Sequence, residues 1–193
     1  MHQRSLLRRQ INQAWQQAIT NNYSRQRINS ERSLQAAVWS ELNAIFKGST
    51  RRMFIEPLII TNTTENSGTI SPEKRFPDIV ICNSLEIIAV LELKYQPRAK
   101  PTYTKDLATL ARISKAREQV AISNKRFRGI EADARTYKLA SSVLYVWAGI
   151  HCDTDASLSP PDEIASNFLE LHAITAHDKE PIFRCGRGFS GEL

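Results

Sequence analysis

Apolar side chains recur at Leu7, Ile11, Ala14, Trp15 and Ala18, the spacing of one helical face, which predicts an amphipathic helix over residues 3–20 that Asn21-Asn22 then breaks. A second helix is expected over residues 31–47, with Asn29 or Ser30 as N-cap and Gly48 just past its end. Residues 52–61 (RMFIEPLIIT) are rich in Ile and Phe and read as a strand, with Pro57 marking an edge or a bulge. Polar residues 62–74 read as a loop. Two apolar runs, 76–82 and 86–95, are joined by Asn83-Ser84-Leu85 and form a predicted hairpin. Pro97 and Pro101 make 96–103 an extended connection, and a helix follows over 104–120, with Thr104 as N-cap and Asp106 in its first turn. Residues 123–138 are polar and basic and fit either a loop or an exposed helix. Residues 142–150 (SVLYVWAGI) are apolar without alternation, the pattern of a buried central strand. Ser159-Pro160-Pro161-Asp162-Glu163 reads as a helix start, and Ile164, Phe168, Leu171 and Ile174 continue that helix to residue 175. The last dozen residues carry no readable element. The order α-α-β-β-β-α-β-α implies an α/β chain: a mixed sheet with helices on its faces.

Composition narrows the class. A chain of 193 residues, 41% hydrophobic with only 7 Gly and 8 Pro, can bury a core as one domain, which excludes disordered and collagen-like chains. No apolar run approaches the roughly 20 residues of a bilayer span, and the basic first residues lack a signal-peptide apolar core, so a cytoplasmic protein with no membrane partner is expected. Cys82, Cys152 and Cys185 are odd in number and far apart, which gives neither a disulfide framework nor zinc-ligand spacing. His2, His151, His172 and His177 also lack ligand spacing and read as surface or helix-end residues, and Cys82 as a small buried side chain.

The net charge of +6 divides unevenly: +7 over residues 1–52, −4 over 53–93, +8 over 94–138 and −5 over 139–193. Two basic blocks thus flank an acidic one. Solvated helix faces are one account of them; surfaces that contact phosphates are the other. On the second account Arg8, Arg51 and Arg52 from the first block, and Lys125, Arg126 and Arg128 from the second, are candidate nucleic-acid contacts, and Lys74 and Arg75 bracket the sheet similarly.

The hairpin carries the chemistry. Glu92 and Lys94 lie two apart on one strand and so share a face, within a stretch (IIAVLELKY) where an unpaired charge is costly. A three-residue loop at 83–85 would pair Cys82 with Glu86 and Asp78 with Val90, making Asp78 a diagonal neighbour of Glu92 on that face. A two-residue loop would turn Asp78 to the other face, so the site requires the odd loop or a bulge. On the second helix, at about 100° per residue, Glu41 falls in the middle of the stripe formed by Leu34, Val38 and Ile45. A carboxylate on the core side of a helix needs a buried cation: the hairpin site or a core arginine. Glu56 beside Pro57 reads as a strand-end residue in solvent, and Tyr95 and Tyr103 as packing residues that could otherwise stack on bases.

Glu41 on a helix, Pro77-Asp78 on a strand and Glu92-Leu93-Lys94 on the next resemble the PD-(D/E)XK nuclease superfamily, the restriction-endonuclease-like fold, over residues 31–150. The resemblance implies a mixed β-sheet flanked by helices with an αβββαβ core, an N-terminal helical extension over residues 1–30, and one domain over 1–193 whose core spans about 31–175. It further implies that Asp78 and Glu92 bind Mg²⁺, for which Mn²⁺ can substitute, and that the Leu93 carbonyl completes the protein's ligands. Glu41 would hold a second metal or its water, and Lys94 would orient or help deprotonate the attacking water. The function so implied is a metal-dependent nuclease hydrolysing phosphodiester bonds, of DNA rather than RNA, cutting both strands most simply as a homodimer. The alternatives are a non-catalytic nucleic-acid-binding or regulatory/defence subunit on the same scaffold, a structural domain whose N-terminal helices mediate assembly, and, for Asp78, Glu92 and Lys94, an ion-pair cluster that fixes sheet register.

Overall fold

Helix α1 (His2–Ala18) buries Leu7, Ile11, Ala14, Trp15 and Ala18, each 5% exposed or less, as its spacing predicts. The protein is described here by a computed structural model covering residues 2–64, 70–115, 121–122, 124–128, 131–135 and 137–186. Asn21 and Asn22 do not stop the helical path; a π-helical turn (Ile19–Tyr23) carries it on, closed by the Ser24 N–H on the Ile19 carbonyl at 3.0 Å. Helix α2 (Glu31–Ile45) starts at Ser30, whose Oγ accepts the Ser33 N–H while Ser33 Oγ accepts the Ser30 N–H, a reciprocal cap. Gly48, at φ +81°, turns the chain beyond its end, where a Cβ would be strained.

Residues 52–61 form two strands, not one. Strand β1 (Arg52–Ile55) ends at Glu56, which takes φ +44°, a left-handed conformation, and Pro57 follows; β2 (Ile59–Thr64) then enters a different sheet. The stretch 62–74 is not simply a loop: β2 pairs antiparallel with β3 (Ile70–Arg75) from Ile59↔Arg75 to Thr64↔Ile70. Its polar, Thr-rich sequence hides the strands because a small sheet needs no apolar alternation. The hairpin follows as β4 (Ile79–Cys82) and β5 (Glu86–Gln96), then helix α3 (Thr104–Lys115). Residues 116–120, the rest of the predicted helix, lie outside the described ones. Strand β6 (Ala121–Ile122) joins β2, and β7 (Asn124–Arg128) pairs with β8 (Glu131–Arg135), so the basic stretch contains a hairpin rather than a loop or helix.

Strand β9 (Lys138–His151) is the buried central strand that its apolar run predicts. The helix expected over 159–175 is a single turn, α4 (Asp162–Ala165), after which β10 (Phe168–Ala176) begins. Residues 168–174 are all buried, so a strand covered on both faces imitates helical spacing at Phe168, Leu171 and Ile174. Strand β11 (Lys179–Cys185) is the last element among the described residues and runs into the last dozen residues, where the sequence shows no readable element.

The six-stranded mixed sheet has the order β1-β4-β5-β9-β10-β11, with β5, β9 and β10 parallel and the other neighbours antiparallel. Through α2, β1, β4, β5, α3 and β9 the chain follows the expected αβββαβ order, with the β2–β3 hairpin inserted. Ile79, Ile81, Leu91 and Leu93 pack into one core with α1 and α2; Val80, Val90 and Trp147 pack into the other with Leu107, Leu110 and Ile113 of α3. The even-numbered positions of β4, and those of β5 beyond Ile88, therefore face α3. No helix among the described residues is long and apolar enough to cross a membrane.

Candidate active site

Two register shifts place Asp78. At the turn, the Asn83 N–H reaches the Glu86 carbonyl at 2.9 Å and Cys82 pairs with Ile87, one step from the register expected of a three-residue loop. A second shift between Cys82↔Ile87 and Ile81↔Ala89 leaves Ile88 as the extra residue of a bulge. Two single-residue shifts cancel in facing. Val80 now opposes Val90, so the same register carried to the strand ends sets Asp78 beside Glu92 rather than diagonal to it, on the face expected.

Asp78 is held from three sides. Its carbonyl accepts the Glu56 N–H at 3.0 Å and Gln35 Nε2 at 2.9 Å, and its Oδ2 accepts the Leu93 N–H at 2.6 Å. The left-handed Glu56 thus has a task beside the site: it aims an amide at Asp78. Glu92 is 8% exposed, and among the described residues no group donates a hydrogen bond to its carboxylate. Lys94 Nζ lies 3.4 Å from Glu31 Oε2 and 3.4 Å from Asp106 Oδ2. These residues line a cleft of about 360 Å³, with Lys74, Arg75, Phe76 and Lys105 also on its wall.

Electrostatics follow from this crowding. Burial pushes Glu92 up to about 9, with Asp78 and Asp106 adding repulsion against the opposing pull of Lys94. Burial also raises Asp78, to about 6, despite the Leu93 N–H that favours its charged form. Asp106 is raised by burial as well, with Lys94 and the Trp147 indole opposing. Burial alone would lower Lys94, but Asp106 and Glu31 outweigh it and hold its pKa above the ordinary lysine value. Among the described residues, four carboxylates of the cleft (Glu31, Asp78, Glu92 and Asp106) gather around the part-buried Lys94, while Lys74, Arg75 and Lys105 stand on the wall.

Asp78, Glu92 and Lys94 come together; Glu41 does not join them. Glu41 accepts a hydrogen bond from Asn21 Nδ2 at 3.2 Å, on the side of the π-helical turn. The reason is axial: a helical wheel gives an angle but no height, and Glu41 lies ten residues, roughly 15 Å, along α2 from the end that meets the sheet. Glu31, in the first turn, occupies that end. It was legible as a second acid on the same stripe, since it falls about 20° from Val38 at 100° per residue. Asp106 read only as a charge suited to a helix start.

The basic candidates also sort by position. Arg8 donates through Nη2 to the Phe168 carbonyl at 3.1 Å, tying α1 to β10. Arg51 donates to Gln10 Oε1 at 2.5 Å and lies 4.6 Å over the Phe46 ring, while Arg52 donates to the Tyr137 hydroxyl at 3.1 Å. Arg52 pairs with Cys82, at the opposite end of β4 from Asp78. All three are fastened away from the cleft. The side chains of Lys125, Arg126 and Arg128 lie outside the described residues. Tyr95 and Tyr103 are packing residues: the Tyr95 hydroxyl donates to the Ile28 carbonyl and Tyr103 meets Trp147 edge-on.

Two histidines correct the surface reading. His151 and His172 are fully buried, because parallel pairing of β9 with β10 brings together residues with no spacing signal between them. His151 Nδ1 accepts the Asp153 N–H at 3.2 Å, so its Nε2–H donates to His172 Nδ1 at 2.7 Å, and His172 Nε2–H donates to Glu170 Oε1 at 2.6 Å. Burial holds His151 down at about 4, with His172 adding to it, and the neutral tautomers satisfy each other.

Among the described residues no three His, Cys, Asp or Glu side chains converge as a ready cage for an ion. Mg²⁺ generally keeps several waters and needs only one or two protein carboxylates. Glu92, 8% exposed beside Asp78, receives no hydrogen bond among the described residues and opens onto the cleft, where such an ion would meet its carboxylate.

No family model matches the chain, and no curated protein matches it. Among solved structures it is similar to NucC from E. coli in a cAAA-bound form, at 12% identity and a TM-score of 0.38 over 96% of this chain and 82% of that one. It is also similar to NucC from P. aeruginosa in a cAAA-bound form, at 11% identity and a TM-score of 0.36 over 96% of this chain and 83% of that one. Likenesses this distant leave the functional case to the geometry of the cleft.

Proposed function

We propose that this protein is a metal-dependent nuclease that hydrolyses phosphodiester bonds, of DNA in the first instance. One observation carries the reading: Glu92 is buried without a hydrogen-bond donor, on the same sheet face as Asp78 and Lys94. Asp78 and Glu92 would hold Mg²⁺ or Mn²⁺, with the Leu93 carbonyl as a further oxygen. When bound, such an ion supplies Lewis-acid polarisation of a phosphoryl oxygen and a lowered pKa for a water. Lys94 presents its ammonium at the mouth of the carboxylate pair, where it orients the attacking water and offsets charge gathering on the phosphate. Glu31 and Asp106 hold that ammonium from two sides.

The acid of α2 that serves this site is Glu31 and not Glu41, and its part is to hold the Lys94 ammonium. Glu31→Gln should lower cleavage about tenfold by loosening Lys94, whereas Glu41→Gln should leave the rate unchanged in the same Mg²⁺-dependent assay on plasmid DNA. Equal effects would contradict the placement of Glu31.

Polyanion attraction rests on the rim. Lys74 and Lys105 are exposed on the cleft wall and make no ion pair among the described residues, while Arg75 is engaged by Glu73. Removing either lysine should weaken DNA binding irrespective of sequence and reduce the slope of log affinity against log salt by about one unit. Arg8→Ala and Arg51→Ala should lower thermal stability and leave that slope alone. A salt slope untouched by both lysine variants would place the DNA elsewhere on the surface.

A further inference from the structure

Asp106 and Trp147 need not touch an ion or a phosphate under the proposed function, yet both are buried and joined. Asp106 is 7% exposed, and its Oδ2 accepts the Trp147 indole N–H at 3.1 Å and lies 3.4 Å from Lys94 Nζ. One oxygen therefore links the indole to the ammonium. Trp147 stands opposite Glu92 in the β5–β9 register, so the two share the face toward α3.

The ring has no freedom to leave Asp106. It lies over Gly149, where a Cβ would come within 2.3 Å of the Trp147 ring. His172 packs against it at 5.5 Å between centroids and Tyr103 meets it edge-on at 6.2 Å. A buried indole needs an acceptor, but any neutral carbonyl would serve. A carboxylate, costly to bury, is warranted by the cation on its other side.

We infer that Trp147 is a positioning residue: through Asp106, and in space kept open by Gly149, it fixes the Lys94 ammonium at the Asp78–Glu92 pair. The catalytic consequence rests on the nuclease reading; the contact chain itself does not.

The test uses the full chain and the variants W147F, D106N, K94M and W147F/D106N. The Trp147 indole resonance, one of three tryptophans and assigned by exclusion of the resonances lost in W15F and W39F, should move in both D106N and K94M. A resonance that ignores K94M overturns the proposal, because Lys94 would then not share the Asp106 oxygen. Under saturating Mg²⁺, W147F and D106N should each lower kcat by roughly tenfold to a hundredfold with little change in KM, and the double variant should be no slower than D106N alone. Effects that multiply, or a W147F protein that is less stable but turns over normally, would show Trp147 to be packing only. If W147F does not fold, the D106N and K94M resonances decide; if the wild type cleaves nothing, the nuclease reading fails and the same resonances still decide the contact chain.

Discussion

Mg²⁺-dependent DNA cleavage should fall by at least about a thousandfold in Asp78→Asn and in Glu92→Gln, with both proteins folded. Each change removes one negative oxygen from the pair that would hold the ion and keeps the shape of the side chain. In Asp78→Asn the new amide retains an oxygen for the Leu93 N–H, which now meets Asp78 Oδ2 at 2.6 Å; the long 3.4 Å contact of Gln35 Nε2 with Oδ1 is lost, but Gln35 keeps its 2.9 Å bond to the Asp78 carbonyl, so the strand end should stay in place. At Glu92 no hydrogen bond is lost, since among the described residues the carboxylate receives none. The predicted loss is therefore chemical and not architectural. The measurement is plasmid and oligonucleotide cleavage with Mg²⁺, Mn²⁺ or EDTA, beside circular dichroism of each variant. Cleavage at the wild-type rate in either variant would remove the carboxylate pair from the mechanism. DNA binding that is indifferent to chelator, with no cleavage by any form, would instead make this a non-catalytic binding protein on the same scaffold.

The site was readable as far as local rules reach. Alternation along β5 fixes Glu92 and Lys94 to one face whatever the fold does elsewhere, and the bulge restored Asp78 to that face after the turn had shifted it. The cap at Ser30 and the apolar run of β9 were legible for the same reason: both signals lie within a few residues. What failed was non-local. Glu41 has the angle of a site residue but not the height, and Glu31 has both because the N-terminus of α2 is the end that meets β5, where Tyr95 N–H reaches Glu31 Oε2 at 3.3 Å. His151 and His172 meet only because β9 and β10 run parallel, and Asp106 is buried only because α3 lies over Trp147. The misread helix over 168–174 is a different failure: a strand buried on both faces erases the period that separates the two structures.

In the metal-free protein at pH 8, Glu92→Gln should be the more stable chain. The sign follows from proton uptake. The folded-state pKa of Glu92, about 9, stands above the ordinary 4.5, so between those values the folded protein keeps a proton that the unfolded chain has released. Stability is then full below the lower value and falls as pH rises through the window, and Asp78 adds a loss of the same sign between 3.8 and about 6. Already at pH 7 the penalty from Glu92 has a ceiling of about 3–4 kcal/mol, from 1.36 kcal/mol per pKa unit above 4.5, and it is larger at pH 8. An unpartnered Gln amide offsets part of the gain and leaves on the order of 1–2 kcal/mol, several degrees in Tm for a chain of this size. Toward pH 4 the two proteins should converge. Mg²⁺ should invert the order: it favours the ionised pair, so it stabilises the wild type by about 2.7 kcal/mol at a hundred times its Kd, raising its Tm, and leaves Glu92→Gln where it was. Thermal melts across pH 4–9 with and without Mg²⁺ read all of this at once. A variant less stable than wild type at pH 8, or a wild-type Tm deaf to Mg²⁺, would mean that the buried carboxylate is not waiting for a cation.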